Sequence, residues 1–482
     1  MPAVDDSQRR PAPGGGPLEA WEGDAPAGWR TETDTLGPVQ VPANRYWGAQ
    51  TQRALEHFAI GRTLMPIEVF HAYAHVKKAA ALANLELGAL PEEKAAVIVR
   101  VCEEILAGHL DEHFPLHVFQ SGSGTQTNAN VNEVIANRAT QLLGGEIGST
   151  LVLHPNDDVN MSQSSNDTFV TAMHVASYAA TSDRVLPAFR ELRQALSDHA
   201  AGWADVVKVG RTHLMDATHL TVGQEWSGYA AALSQATADI EHATAGLLDV
   251  AMGGTAVGTG LNAPAGFTRS ATRFLAESTE HPFRPAENPF SAQATLDAMV
   301  RAHASLKSAA VTLYKIADDV RWLASGPRQG LGELRIPANE PGSTIMPGKV
   351  NPSQAEVLMM VCIQVLGHDT AVSMAGAEGN FELNAFRPIV IHDFLTSAEL
   401  LADATTSFRS YLVEGTVVDR QRLAANVEGS VMVVTALAPE IGYDRAAEIV
   451  RRAVEEDADV RDVARGMGVD PRIIDRLIPP RG

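Results

Sequence analysis

The sequence predicts an all-α fold built around a bundle of long helices. Helix-period, Ala-rich segments dominate the chain, alternating strand-like runs are few, and three segments carry apolar residues in steps of three and four. Stripes of this length are typical of bundle helices. The three stripes are Met299, Ala302, Leu306, Ala309, Leu313, Ile316, Val320 and Leu323; Trp226, Tyr229, Leu233, Ala236, Ile240, Ala243, Leu247 and Val250; and Val390, Phe394, Ser397, Leu401, Ala404, Phe408 and Tyr411.

The length of these helices also bears on assembly. At 1.5 Å per residue each would be about 40 Å long, and a single copy would leave apolar surface uncovered. The many Ala and Ser residues suit close packing between subunits. We therefore expect an oligomer, and the alternative is a monomeric bundle that covers its own stripes.

Length and composition predict a folded chain with more than one core. The chain has 482 residues, 45% apolar and 20% charged, so we expect two or three domains. Residues 1–30 are rich in Pro, Gly and charge and predict a disordered tail. A shorter helix is predicted from Pro91, which suits a helix start, to Gly108, which suits a helix end.

The charge balance excludes several classes of partner. The chain has 58 acidic and 38 basic side chains, a net charge of -20, which disfavours nucleic acid and anionic membranes. No run approaches the roughly 18 apolar residues of a membrane span, and no signal peptide is evident. The two cysteines, Cys102 and Cys362, lie in apolar helical segments and predict inert thiols rather than a disulfide. These features favour the cytoplasm.

Four polar stretches interrupt the Ala-rich pattern and are candidates to converge. Residues 121–128 precede a helix predicted over 129–143, where backbone N–H groups and hydroxyls suit a carboxylate. The alternative is a plain capping loop. Residues 154–160 continue into 162–168 at the head of another helix. We disfavour a metal site there, because the spacing matches no helical zinc motif and no third ligand is evident.

The other two stretches add ionisable groups. In residues 210–216, His213 follows a hydroxyl and could transfer protons near neutral pH, although a lone histidine is more often structural. In residues 340–352, Gly and Pro predict a shaped loop in which Lys349 and Asn351 can hold a carboxylate. A phosphate-binding loop is excluded by the spacing of its glycines and by Val350, which stands where a hydroxyl residue is required.

The fourth stretch resembles the signature of the fumarase and aspartase superfamily, and residues 342–352 are similar to class II fumarases in particular. Residues 122–125, 154–160, 164–167 and 210–213 resemble other family blocks, in the family's order. Aspartate ammonia-lyases are also similar but usually carry Gln at position 213 and Ala at position 348, where this chain has His213 and Gly348. These two differences favour an enzyme that adds or removes water over one that adds or removes ammonia.

The resemblance implies a three-domain, all-α protomer and a homotetramer with a multi-helix core and active sites shared between subunits. The domains expected after the tail are an N-terminal helical domain (31–162), a central long-helix bundle (163–422) and a small C-terminal helical domain (423–482). The implied reaction is reversible, stereospecific trans addition of water to fumarate, giving L-malate through an aci-carboxylate intermediate. The resemblance implies no cofactor and no metal, and the implied partners are small dicarboxylates.

Site roles follow from the matching positions. Ser343 is implied as the base, and His213, with Glu356 as its partner carboxylate, as the group that protonates the leaving hydroxyl or activates water. Intact groups at these positions argue against a catalytically silent helical scaffold. The residues implied to bind substrate are Ser123, Thr125, Ser164, Ser165, Asn166, Thr212, Lys349 and Asn351.

The family's second, noncatalytic anion site is doubtful in this sequence. Its candidates are His154, Asn156 and Asp157. Leu151 and Val152 stand nearby where related fumarases often carry basic residues. We therefore assign no ligand to these residues. An ammonia-lyase or another eliminase of the superfamily is the alternative function with the same fold.

Overall fold

The computed structural model describes residues 28–477. Residues 1–27 of the predicted disordered tail lie outside this range. Trp29 and Arg30, also assigned to the tail, instead begin strand β1 (Trp29–Asp34), which pairs antiparallel with β2 (Gly37–Pro42). Arg30 Nη1 donates to the Pro42 carbonyl at 2.7 Å, so this hairpin is tied closed upstream of the predicted boundary.

Helices dominate the described residues, as the sequence predicts. Besides short 3₁₀ and π segments, the helices are α1 (Ala49–His57), α2 (Ile67–Glu86), α3 (Glu92–Leu106), α4 (Thr125–Leu142), α5 (Ser165–Ala180), α6 (Leu186–Gly202), α7 (Val222–Thr244), α8 (Phe267–Thr279), α9 (Pro289–Ala294), α10 (Asp297–Leu323), α11 (Ser353–Ala377), α12 (Arg387–Phe408), α13 (Arg420–Gly429), α14 (Ala438–Ile441), α15 (Tyr443–Glu455), α16 (Val460–Gly466) and α17 (Pro471–Leu477).

The strands are short and form two-stranded sheets in the described range. β3 (Val207–Thr212) pairs antiparallel with β4 (Met215–Thr221), and β7 (Leu334–Arg335) pairs antiparallel with β8 (Val417–Val418). β5 (Asp249–Val250) and β6 (Arg284–Pro285) are parallel. These pairs tie loops together and add no separate layer to the helical fold.

Five long helices form a ring in the centre of the molecule. Around the ring, α6 contacts α7, α7 contacts α10, α10 contacts α11, α11 contacts α12, and α12 returns to α6. Helix α5 leads into α6 through one π-helical segment (Thr181–Val185). A second apolar cluster, formed by α15, α16 and their neighbours, lies near the C-terminus.

The predicted stripes are correct in their centres and too long at two ends. All eight residues of the first stripe are buried in α10. The second stripe outruns α7, because the chain leaves the helix after Thr244 and Val250 lies in β5. The third stripe fails at Tyr411, which is 58% exposed in a π-helical segment beyond α12.

The ring has two ends, which we call the hairpin end and the α5 end. At the hairpin end, α6 and α7 meet through the β3–β4 hairpin, and β7 pairs with β8 just after α10 and α12. At the α5 end, Arg387 of α12 contacts the start of α5, with its Nη1 2.8 Å from the Asn166 carbonyl. Because α12 has 22 residues, the two ends are about 33 Å apart.

Helix α11 has an apolar face that no part of the described chain covers. Val357, Met360 and Ile363 are 44%, 61% and 61% exposed, whereas Leu358 and Cys362 are fully buried. By length and composition alone, α11 is also apolar enough to cross a membrane. A helix in the core of a soluble bundle meets the same criterion, and the mixture of buried and exposed apolar residues suits packing against another protein surface.

Candidate active site

Two helix N-termini bring the first and second polar stretches together at the α5 end. Ser123 Oγ lies 2.6 Å from Thr125 Oγ1, and Thr125 Oγ1 lies 3.2 Å from Ser165 Oγ. Thr125 opens α4, four residues earlier than predicted, and Ser165 opens α5. Each helix start adds about half a positive charge to this row of hydroxyls. The arrangement suits a carboxylate.

Two glycines allow the loop before α4 to come this close. A Cβ at Gly122 would overlap the carbonyl oxygen of Ala385, and one at Gly124 would overlap the ring of Phe169 on α5. Gly124 also has a φ of +77°, which favours glycine. The Gly-rich character of this stretch therefore serves close packing as well as anion binding.

The start of α5 is held by hydrogen bonds on several sides. Ser164 caps the helix, and its backbone N–H donates to Asp167 Oδ1 at 2.9 Å in a capping box. Asp167 Oδ2 accepts from the backbone N–H groups of Gly253 and Thr255, each at 3.0 Å. The Asn166 side chain donates to the Ala256 carbonyl at 2.9 Å. Burial raises the pKa of Asp167 to about 6, and these N–H donors oppose the rise.

Three buried groups that support these helix starts were not selected from the sequence: Lys77, Asp167 and Arg387. Lys77 is fully buried in α2, and burial lowers its pKa to about 7 against the opposing charge of Asp167. Arg387 is fully buried and donates to the carbonyls of Asn166 and Gln293 at 2.8 and 2.5 Å. A charged residue on an otherwise apolar helix face is the sequence signal that could identify such groups. Charged side chains are rarely buried without partners, so this pattern indicates a buried polar network.

The third stretch forms the tip of the β3–β4 hairpin at the opposite end of the ring. His213 and Leu214 are the two loop residues, with φ of +58° and +63°, as in a type I′ turn. Positive φ at non-glycine residues costs roughly 1–2 kcal/mol each. Thr212 and His213 are exposed, and Leu214 is 72% exposed. Strain and exposure of this kind are characteristic of functional loops.

The base of this hairpin is fixed by buried charges. Lys208 Nζ lies 2.7 Å from Glu225 and 3.0 Å from Glu333, and Arg211 lies 2.7 Å from Glu333. Burial alone would raise the pKa of Glu333, but the hydrogen bond and charge of Arg211 and the charge of Lys208 outweigh it and hold the pKa below its usual value. The exposed tip therefore stands on a rigid base.

The fourth stretch forms a loop that closes on itself, also at the hairpin end. Lys349 Nζ donates to Asn351 Oδ1 at 2.6 Å, and Asn351 Nδ2 donates to the Gly342 carbonyl at 2.5 Å. Ser343 Oγ accepts from the backbone N–H groups of Ile345 and Met346 at 3.3 and 3.0 Å. Donors aimed at one hydroxyl oxygen favour negative charge on that oxygen.

The predicted catalytic residues do not meet within one chain. Glu356 lies in the first turn of α11 and is exposed, and in the described range no hydrogen bond or ion pair joins it to His213. Nor does one join Ser343 or His213 to Ser165. The hydroxyl row lies at the α5 end, and the other groups lie at the hairpin end.

The three candidate residues of the doubtful second anion site lie in contact with one another. His154 Nδ1 accepts from the backbone N–H groups of Asn156 and Asp157, each at 3.1 Å. These are donors that an anion would otherwise use. The adjoining cavity, about 710 Å³, is lined by the carboxylates of Glu32 and Glu133 among other groups. No group of three or more His, Cys, Asp or Glu within residues 28–477 is arranged to hold a metal.

Comparisons with known proteins identify the family of this chain. A family model described as lyase matches residues 37–367, and one described as fumarase C C-terminus matches residues 433–481. A class II fumarate hydratase from Methanosarcina acetivorans is 55% identical, with 95% of each chain covered. One from Thermosynechococcus vestitus is 56% identical over 91% of this chain and 94% of the relative. The chain belongs to the class II fumarate hydratase family.

Solved structures of this family have the same fold as this class II fumarate hydratase. A class II fumarase from Schistosoma mansoni superposes with a TM-score of 0.92 at 39% identity, covering 94% of this chain and 98% of that one. A fumarate lyase:delta crystallin from Brucella melitensis gives 0.89 at 42% identity, covering 93% and 98%. The predictions of an all-α fold and of a hydro-lyase of this family are confirmed.

Proposed function

We propose that this class II fumarate hydratase interconverts fumarate and L-malate in sites completed by different copies of a homotetramer. The observation that carries the proposal is the separation of about 33 Å between the hydroxyl row at the α5 end and the loops at the hairpin end. A four-carbon dianion cannot reach both from one protomer. Two copies that pack antiparallel would bring opposite ends together.

The uncovered helix faces supply the contact that such packing needs. On α11, Met360, Ile363 and Met374 are at least 61% exposed, and on the adjacent α10 Val311 is 56% exposed. Apolar surface of this extent is characteristic of subunit interfaces. Helices α10 and α11, which carry this apolar surface, belong to the central ring. The two ends of the ring carry the two halves of the proposed site.

The substrate dianion is proposed to bind between the two halves. At the α5 end, hydroxyl, amide and helix-terminal donors hold one carboxylate. At the hairpin end of other copies, a hydroxyl, an ammonium and an amide hold the second. Such a clamp offsets the repulsion expected from a net charge of -20. The proposed ligands are Ser123, Thr125, Ser164, Ser165 and Asn166 in the first half and Thr212, Lys349 and Asn351 in the second.

Chemistry begins, in the malate direction, with removal of the weakly acidic C3 proton. Ser343 is proposed as the base, because the N–H groups of Ile345 and Met346 point at its Oγ and Lys349 lies in the same loop. These groups stabilise an alkoxide once water is excluded. Electron density moves from C3 onto the adjacent carboxylate, which becomes the aci-carboxylate held by the clamp.

The hydroxyl at C2 then leaves with a proton from His213, directly or through a water. Glu356 of another copy is proposed as the carboxylate that orients and stabilises the charged imidazole. The exposed, strained position of the His213 turn supports a role that needs a second subunit. In the hydration direction, the same imidazole takes a proton from water. We also propose a cytoplasmic location, which the two buried free thiols suit.

The first experiment measures absorbance at the fumarate band when chelator-treated enzyme is given L-malate, with L-aspartate in a parallel cuvette. A rise with malate alone supports the proposal. A rise with aspartate alone would assign an ammonia-lyase. No change in absorbance with either substrate would favour a helical scaffold without catalytic activity.

The second experiment replaces the proposed base. Ser343→Ala is expected to lower kcat by at least about 10³-fold while the tetramer mass is unchanged, because the hydroxyl serves chemistry and is not part of the core. The control is Ser353→Ala, a nearby serine whose Oγ donates to Glu340. A wild-type kcat in Ser343→Ala would show that Ser343 is not the base.

A further inference from the structure

A buried ammonium group links the two helix starts that carry the hydroxyl row. Lys77 Nζ donates to Asn128 Oδ1 at 2.7 Å, to Asn160 Oδ1 at 2.9 Å and to Gln163 Oε1 at 3.0 Å. An ammonium has three N–H donors, so each has one acceptor. The centroid of the Tyr73 ring lies 5.6 Å from the same Nζ. The cost of burying this charge is offset only while all of these partners stay in place.

The three acceptors lie on the two elements that carry substrate-binding groups. Asn128 is in the first turn of α4, and Asn160 and Gln163 precede the start of α5. Asn160 Oδ1 also accepts from the side chains of Asn128 and Asn132, at 3.1 and 3.2 Å. Lys77 itself belongs to α2, so one side chain connects α2, the first turn of α4 and the segment that leads into α5.

We infer that Lys77 is a positioning residue for substrate binding, whose ammonium fixes the start of α4 against the start of α5. The consequence is the 3.2 Å spacing between the hydroxyls of Thr125 and Ser165, which sets the geometry offered to one carboxylate. Lys77 acts through these elements, and its Nζ is fully enclosed by their amides. This inference rests on the proposed function, because it assigns the row to a substrate carboxylate.

The inference predicts which kinetic constant changes. A carboxylate held at the helix starts is bound in the ground state and in the transition state alike, and loss of such uniform binding raises KM more than it lowers kcat. The proposed base and acid lie on other loops, at the hairpin end. A small displacement of the α4 start relative to α5 should therefore weaken binding of malate and of a nonreactive dicarboxylate inhibitor together.

The test compares two neighbouring lysines of α2. Lys77→Met keeps the side chain as far as the position of Cε and removes the charge and the three N–H donors. The matched control is Lys78→Met, the same change at the adjacent residue. The Lys78 ammonium lies 3.1 Å from the carboxylate of Glu103 on α3 and has no contact with the hydroxyl row. We expect Lys77→Met to raise KM for malate and Ki for succinate about 10- to 100-fold, with kcat within about threefold of wild type. Lys78→Met should match wild type.

Other results decide against the inference. A folded tetramer of Lys77→Met with an unchanged KM, or with a lower kcat at constant KM, would overturn it. If Lys77→Met does not fold, Asn128→Ala takes its place, because it removes one acceptor on α4 and keeps the ammonium paired with Asn160 and Gln163. A rise in KM of at least about threefold then supports the inference, and an unchanged KM overturns it.

Amide hydrogen exchange separates this inference from the proposed function. In Lys77→Met, peptides covering residues 121–130 and 160–168 should exchange faster than in Lys78→Met, with no substrate present. If wild-type enzyme does not act on malate, the proposed function fails while this comparison still tests the link between the helix starts. Equal exchange in the two variants would show that Lys77 does not hold them.

Discussion

Shared sites predict that two variants, each with little activity at malate concentrations well below KM, can restore each other's activity. One variant, Thr125→Val/Ser165→Ala, removes hydroxyls at the α5 end, and the other, Ser343→Ala, removes the proposed base at the hairpin end. If both groups of one site came from the same protomer, no mixture could contain an intact site. Because the ends lie about 33 Å apart, the proposed site draws them from different protomers.

The magnitude follows from random assembly. In an equal mixture, half of the protomers carry an intact α5 end and the other half an intact hairpin end. A site that takes the two from different protomers is intact with a probability of about one quarter. Mixed tetramers should therefore recover about 25% of wild-type activity per site, while each parent protein stays near zero.

The assay separates the purified variants into subunits with mild denaturant, mixes them, removes the denaturant and follows turnover at a malate concentration well below the wild-type KM. Native mass spectrometry on differently tagged chains measures how completely the subunits mix. The matched control combines Ser343→Ala with Lys349→Met, two changes in one loop, which should restore nothing. No recovery in the first mixture, with full subunit exchange, would refute the argument from the length of the ring.

Two further substitutions test the local supports of the site. Gly122→Ala should lower kcat/KM at least about tenfold, because the added Cβ would overlap the Ala385 carbonyl oxygen and displace the start of α4. The control is Gly202→Ala, whose Cβ would meet nothing within 4 Å and should leave kcat/KM unchanged in the same steady-state assay. Glu333→Gln should lower the free energy of unfolding by about 1–3 kcal/mol at pH 7, because Lys208 loses one of its two carboxylates. The pKa of Glu333 is lowered in the folded protein by the hydrogen bond and charge of Arg211 and the charge of Lys208, so its stabilisation is fully present above the ordinary glutamate pKa of about 4.3 and is lost as pH falls through the lower folded-state pKa. The difference between the urea midpoints of the two proteins should therefore be smaller at pH 4 than at pH 7, and a constant difference would contradict the role of this carboxylate.

The fold could be predicted where one face of a helix is buried and the other is polar. The stripe of α10 satisfies that condition over its whole length, and all of its members are buried. Helix α11 does not, because apolar residues surround it, and periodicity assigns no face to such a helix. The stripes of α7 and α12 were extended too far because periodicity continues into segments that leave the α-helix, as at Tyr411.

The site could be predicted only in part, since the sequence signals local chemistry better than support at a distance. Ser164, Asn166 and their neighbours stand in polar stretches at helix starts, where capping and anion binding leave a visible pattern. Lys77 and Arg387 stand in apolar helices and make contacts across 51 to 221 residues of sequence. No local pattern specifies which partners such groups meet after folding.

A negative protein that binds a dianion needs a strong local field, and the positions of the polar stretches suggest how one arises. Three of the four lead into helix starts, namely those of α4, α5 and α11. At about half a positive charge each, three helix starts supply about 1.5 charges, and Lys349 adds one more. The sum exceeds the two negative charges of fumarate only if helices from both ends of the ring face the same ligand. The proposed sharing of the site between copies would bring together helix starts that lie at opposite ends of one bundle.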